Sequence, residues 1–218
     1  MKKILGLTIA ALLVMGLVGA GTWAYFSDTE TSGTNVLTAG TLNLNVDSTD
    51  PFTLNISVPA LTPGTTGNAA NWTVQNDGTI SGNLTVAVSA IVNGEGVNPE
   101  SETESTGDGE LGGLAKMAFW LDYDQDGIWS TGDKYLDASG AGTVVDYSSG
   151  TTLPSAAYDV IDDFGTTDWA QSDGIATMAA SAEFDLLIEY DFPDGGSGDN
   201  TAQGDNCTFT IDFTLMQP

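Results

Sequence analysis

From Leu42 onward the chain alternates apolar and polar residues with a period of two, in run after run. Cys207, Phe209, Ile211, Phe213 and Leu215 alternate with Thr208, Thr210, Asp212 and Thr214. Ala182, Phe184, Leu186, Ile188, Tyr190 and Phe192 form an equally clean set that stops at Pro193. Successive side chains of a strand point to opposite faces, so this pattern gives strands with one buried and one wet face. The same reading applies to Leu42-Leu44-Val46, Phe52-Leu54-Ile56-Val58, Ala70-Trp72-Val74, Leu84-Val86-Val88-Ala90 and Met117-Phe119-Leu121-Tyr123. Pro59, Pro63-Gly64 and Asn76-Asp77-Gly78 punctuate the runs, the last as a turn returning one strand upon the next. Val144-Val145 reads as a short strand and Tyr158 to Phe164 as a short helix. Asn93 to Gly113 and Asp194 to Asn206 read as long acidic loops. Strands without intervening helices predict a mainly β fold, an antiparallel β-sandwich.

The N-terminus has a different character. Met1-Lys2-Lys3 precede Ile4 to Ala20, which carry no charge; the small residues Gly19, Ala20 and Gly21 come shortly before Ala24, itself small, and a polar, acidic stretch follows from Ser27. This is the layout of an export signal, predicting cleavage between Ala24 and Tyr25 and a secreted product. As a helix the apolar run is about 25 Å long, against about 30 Å of hydrocarbon in a bilayer. The expected organisation is a signal peptide over 1-24, an extended segment over 25-38 and one sandwich domain over 39-218.

Charge excludes whole classes of partner. The chain has 30 acids, four lysines or arginines, no histidine and a net charge of −26. Beyond the signal, Lys116 and Lys134 are the only cations. Nucleic acid and anionic membranes are excluded as partners, while divalent cations suit such a surface. Cys207 is the single cysteine, so no internal disulfide exists, and its phase in the strand places it on the apolar face.

The sharpest local motif runs Asp122-Tyr123-Asp124-Gln125-Asp126-Gly127-Ile128-Trp129-Ser130-Thr131-Gly132-Asp133. Acids at positions one, three and five, glycine at six and an acid at twelve are the pattern of a calcium loop. The expected ligands are Asp122, Asp124, Asp126, the Ile128 carbonyl, Ser130 and Asp133. Aspartate at the last position, where glutamate is usual, shortens the closing arm. The preceding residues read as strand, so this is an EF-hand-like loop without the EF-hand helices.

No catalytic constellation is present. Without histidine there is no His-Glu-x-x-His zinc helix, and no base accompanies any serine or threonine. No enzymatic activity and no small-molecule substrate are expected. Sequons at Asn55, Asn71, Asn83 and Asn206 lie out of phase with the apolar residues, as possible glycosylation sites. Trp72 reads as core, whereas Trp120 and Trp129 flank or enter the metal loop and are left open between packing and binding.

Three blocks carry a family resemblance: AYFSDTETSGTNVLTAGTLNLNV (Ala24 to Val46), LTPGTTGNAANWTVQNDGTISGNLTVAVSAI (Leu61 to Ile91) and QGDNCTFTIDFTLMQ (Gln203 to Gln217). Together with the signal region, they resemble the TasA/camelysin family of secreted biofilm-matrix proteins, processed by a SipW-type signal peptidase. The resemblance implies a jelly-roll form of the sandwich and assembly with copies of itself into extracellular fibres or pili, at the cell surface or in the matrix. It implies donor-strand complementation, in which Tyr25, Phe26, Val36 and Leu37 of the N-terminal segment complete a neighbour's sheet. The alternatives are a monomeric calcium-binding surface or adhesive module, a pilin retaining its apolar helix and, last, the metalloprotease that some camelysin relatives are labelled as.

Overall fold

The computed structural model describes residues 2–20, 38–49, 56, 58, 61–95, 109–139, 142–166, 168–196, 201–202 and 204–218. The N-terminal unit, Met1–Ala39, contains helix α1 (Lys2–Ala20), and no helix among the described residues is long and apolar enough to cross a membrane. The second unit, Gly40–Pro218, holds the strands.

The strands are β1 (Leu44–Val46), β2 (Thr65–Asn76), β3 (Asn83–Gly94), β4 (Lys116–Asp122), β5 (Lys134–Asp137), β6 (Thr143–Asp146), β7 (Asp159–Val160), β8 (Asp168–Trp169), β9 (Glu183–Phe192) and β10 (Asn206–Met216). They form two antiparallel sheets, so the mainly β fold expected from the alternation is what forms. The larger runs β1-β2-β9-β4-β5-β6, with β7 beside β4; the smaller runs β10-β3-β8. A jelly roll is implied by the resemblance alone.

Both sheets contribute to one core. Trp72 and Val74 of β2, Phe119 and Leu121 of β4, and Phe184, Leu186 and Ile188 of β9 meet Leu84, Val86 and Val88 of β3. Phe164 seals the space between, edge-on to Phe119 at 4.9 Å and next to Trp169 of β8 at 5.8 Å. Burying side chains of this size contributes about 1.5–3 kcal/mol each, which is why the alternation is so strict. On β10, Cys207, Phe209, Ile211, Phe213 and Leu215 face the same core but stay half-buried.

Three local expectations are corrected. Asn76-Asp77-Gly78 does not close a hairpin, because β2 pairs with β1 and β9 while β3 pairs with β10 and β8. The turn is a corner carrying the chain from one sheet to the other, and the buried Asn76 side chain organises it. Its amide donates toward the carbonyls of Ile80, Met178 and Ala179 at 2.9–3.2 Å, and its Oδ1 accepts from the Gly78 N–H. A Cβ on Gly78 would lie 2.3 Å from the Thr41 carbonyl oxygen, so only glycine passes there. Tyr158 to Phe164 is not an α-helix but the two-residue β7 followed by a 3₁₀ segment, Ile161–Thr166. Ile56 and Val58 lie outside any strand, and Phe52 and Leu54 fall outside the described residues.

The larger sheet is buried on its outer face as well. Ala118, Trp120, Trp129, Tyr135, Ala157 and Leu187 form a second apolar cluster there, with Val145, Tyr147, Leu153 and Tyr158 around it. Six consecutive residues of β4, Met117 to Asp122, are consequently buried.

Candidate functional site

The acidic loop closes the hairpin between β4 and β5, where Leu121 pairs with Lys134. Asp122, the last residue of β4, is fully buried, and Asp133, just before β5, is 1% exposed. Each carboxylate ties down the loop backbone. The Asp122 Oδ1 accepts from the Gln125 N–H and its Oδ2 from the Gly127 N–H, both at 2.7 Å. The Asp133 Oδ1 accepts from the Tyr123 N–H at 3.1 Å and its Oδ2 from the Ser130 N–H at 2.7 Å. Gly127, at φ +72°, takes the left-handed conformation that the sixth position requires.

The loop brings three carboxylates together. Ligand oxygens from Asp122, Asp124 and Asp126 lie within 4.8 Å of one another, so the cluster can hold a metal ion. The Ser130 hydroxyl donates to the Asp124 Oδ2 at 3.2 Å, beside this group. Asp133 is not one of the three: it stands next to them with both oxygens on backbone amides, consistent with the short arm of aspartate at that position. Asp124, Asp126 and Ile128 face solvent.

Electrostatics favours a cation here. Burial pushes the Asp122 carboxyl above its ordinary value; the Asp124 hydrogen bond and the Asp133 charge add to the rise, while the Gly127 and Gln125 amides oppose it. Clustered acids with so little positive charge nearby are relieved by a bound divalent ion more directly than by protonation.

Trp129, the eighth loop residue, anchors the loop. Only 2% exposed, it packs edge-on against Trp120 at 5.8 Å and lies near Tyr135 and Tyr147 at 6.0 and 5.6 Å. Glu189 of β9, which sequence reasoning missed, accepts from the Trp120 indole N–H at 2.9 Å and from the Tyr158 hydroxyl. The available signal was a second apolar stripe on the strands. Trp120, Tyr135 and Leu187 are out of phase with the core positions, which happens only when both faces of a sheet are covered.

Of the other expected sites, Ala24, Tyr25, Phe26, Val36, Leu37 and Asn55 lie outside the described residues. Asn71 on β2 and Asn206 at the start of β10 are exposed; Asn83 is half-buried and accepts from the Thr177 hydroxyl at 3.0 Å. Cys207 is half-buried against the core, where burial, aided by the Asp162 charge, pushes its thiol up to about 11. Beside it opens a cleft of about 480 Å³, lined by Ile56, Val58, Leu61, Met117, Phe192 and Phe209 among others.

The family model described as camelysin metallo-endopeptidase matches residues 1–218, and the chain belongs to that family. No curated protein matches it. The family's description implies a metal, and the donors here decide which kind fits. Peptidase zinc is held by histidine with carboxylate or cysteine, whereas this chain has no histidine and its one cysteine faces the core. An oxygen-only group of aspartates does not match that chemistry; it matches a hard cation.

Proposed function

We propose that this protein is a secreted structural subunit that polymerises into extracellular fibres, with calcium bound in the loop from Asp122 to Asp133. Export would remove residues 1-24, and the segment from Tyr25 to Leu37 would then add to a neighbouring subunit as a donor strand. The observation that carries this reading is β10. It is an eleven-residue strand that pairs, among the described strands, only with β3, and its inward side chains stay half-buried. An edge left unpaired among the described strands can template another strand, and the apolar cleft beside Cys207 and Phe209 offers pockets for its alternate side chains. The resemblance of Ala24 to Val46, Leu61 to Ile91 and Gln203 to Gln217 to TasA-type matrix proteins supports the same assignment.

Two or three side chains buried at about 1.5–3 kcal/mol each give a gross gain of about 3–9 kcal/mol per junction. Ordering the tail opposes this, so junctions gain persistence through repetition along a filament. A head-to-tail contact that does not close on itself makes a fibre instead of a ring. Calcium fits the loop through its all-oxygen donors, and extracellular modules bind it at about 10⁻⁴–10⁻³ M.

The test is electron microscopy of the exported protein beside a variant lacking Tyr25 to Gly33, after N-terminal sequencing has established where the mature chain begins. Wild type should form filaments and the truncation should remain monomeric. Filaments from the truncated protein would remove the donor-strand role. A wild type that stays monomeric would leave a calcium-binding surface module in its place.

A further inference from the structure

The chain carries four Asn-x-Ser/Thr sequons, at Asn55, Asn71, Asn83 and Asn206, and the fold treats them differently. Asn55 lies outside the described residues. N-glycosylation asks two things of a sequon: an amide nitrogen open to solvent and, two residues on, a hydroxyl that a transferase can reach. Asn83 fails on the first count. It is half-buried at the start of β3, and its Oδ1 accepts from the Thr177 hydroxyl at 3.0 Å. Asn71 fails on the second. It is exposed, but it stands midway along the twelve-residue β2 beside the buried Trp72, and the Thr73 hydroxyl donates to the Asp185 Oδ1 of β9 at 2.8 Å.

Asn206 meets both conditions. It is exposed as the first residue of β10, where the chain enters the strand from an acidic, glycine-rich loop. Thr208 is exposed too, with its hydroxyl 3.5 Å from the Val92 carbonyl, a distance at the outer limit of a hydrogen bond. Opposite Asn206 on β3 stands Gly94. A Cβ there would lie 2.8 Å from the Asn206 Oδ1 and 3.1 Å from its Nδ2, so the missing side chain gives this amide its room. Among the described strands β10 pairs with β3 alone, and strand ends open at little cost. Lifting the sequon from the ladder uncovers one half-buried side chain, Cys207.

We infer that Asn206 is an N-glycosylation site, the one of the described sequons that the fold leaves open to the reaction. The sugar donor is an oligosaccharide carried on a polyprenyl phosphate or pyrophosphate. The Asn206 Nδ2 bonds to the anomeric carbon of the first sugar as the bond from that carbon to the phosphate oxygen breaks. The lipid phosphate leaves with the bonding electrons, and the amide nitrogen gives one proton to a base of the transferase. The inference rests on the export part of the proposed function, because sequons are read on chains that leave the cytoplasm. It does not rest on fibre formation.

The experiment purifies the protein from the cells that naturally export it and digests it at its acidic residues, which releases Asn206 in a short peptide bounded by Asp205 and Asp212. Tandem mass spectrometry should find a glycan on Asn206 in most copies and none on Asn71 or Asn83. Made in the same cells, Thr208→Ala should lose the glycan and Thr208→Ser, which keeps the hydroxyl, should retain it. Thr208 is exposed, so neither change reaches the core. A mature chain that starts at Tyr25 and carries a bare Asn206 would overturn this inference and leave export standing. A bare Asn206 on a chain that retains residues 1-24 would overturn export as well. A glycan that survives Thr208→Ala, or that sits on Asn71 or Asn83 in place of Asn206, would also overturn the inference.

Discussion

Trp120 and Glu189 lie diagonally across the β4–β9 pair, with 2.9 Å between the indole Nε1 and the carboxylate Oε1. A carboxylate at this point on the sheet's outer face is held under an aromatic layer because its two oxygens serve two donors, Trp120 and Tyr158. Removing it leaves both donors unpaired. Glu189→Ala should therefore cost about 2–4 kcal/mol, while Glu189→Gln, which keeps one acceptor, should cost about half as much. At roughly 2–4 °C per kcal/mol for a chain of this length, thermal melts separate the two. Equal melting temperatures for both variants would mean that the carboxylate is not what holds this layer.

Asn76 is the second polar group on which the fold leans. Its amide faces three carbonyls at the corner between the sheets. Asn76→Asp preserves the shape but replaces the donor with an acceptor, so oxygens confront oxygens. It should destabilise by about 3–5 kcal/mol, at least as much as Asn76→Ala. Denaturant melts of the two variants check the order; a near-neutral aspartate would contradict the corner's assignment.

In the acidic loop the aspartates divide by burial. Asp124 and Asp126 are exposed, so the double change Asp124→Ala, Asp126→Ala should scarcely alter the metal-free melting temperature. It should eliminate the rise that calcium produces, which is about a kcal/mol or so when calcium is a few times its dissociation constant. Asp122→Ala should lower stability even in chelator, because the Gln125 and Gly127 amides lose their acceptors. Calorimetry with and without calcium tests both arms, and a wild type indifferent to calcium would leave the loop as an acidic turn.

Cys207 provides a pH signature. Its thiol is raised from 9.0 to about 11 in the folded chain, first by burial and then by the Asp162 charge. Below about 9 both folded and unfolded states keep the proton, and the group has no effect on stability. Between about 9 and 11 the unfolded chain loses it more readily, so the protein should lose stability as pH rises through that window. Cys207→Val should flatten this part of the profile, and native Cys207 should alkylate far more slowly at mild alkaline pH than in denaturant. A native rate matching the denatured one would show that the thiol is open to solvent.

The amino-acid order alone determines which residues of β2, β4, β9 and β10 face the core, because the two-residue repeat of an extended chain converts alternation directly into sidedness; on β3 it holds only from Leu84 to Val88, since a bulge turns Ala90, expected inward, out to solvent at φ +50° and packs Ile91 on the core in its place. It also determines the chemistry of the Asp122–Asp133 loop, since oxygen donors at odd positions around Gly127 are a local arrangement. What a strand pairs with is not local. The Asn76-Asp77-Gly78 turn reads as a hairpin, and only the three distant carbonyls that hold Asn76 send the chain to the other sheet. Trp120, Trp129 and Leu187 become interior only because segments far along the chain, up to Tyr158, close over the outer face of the larger sheet. Tertiary structure likewise decided that Asp133 binds backbone amides beside the three-carboxylate group, since the reach of a side chain depends on how the hairpin beneath it is paired.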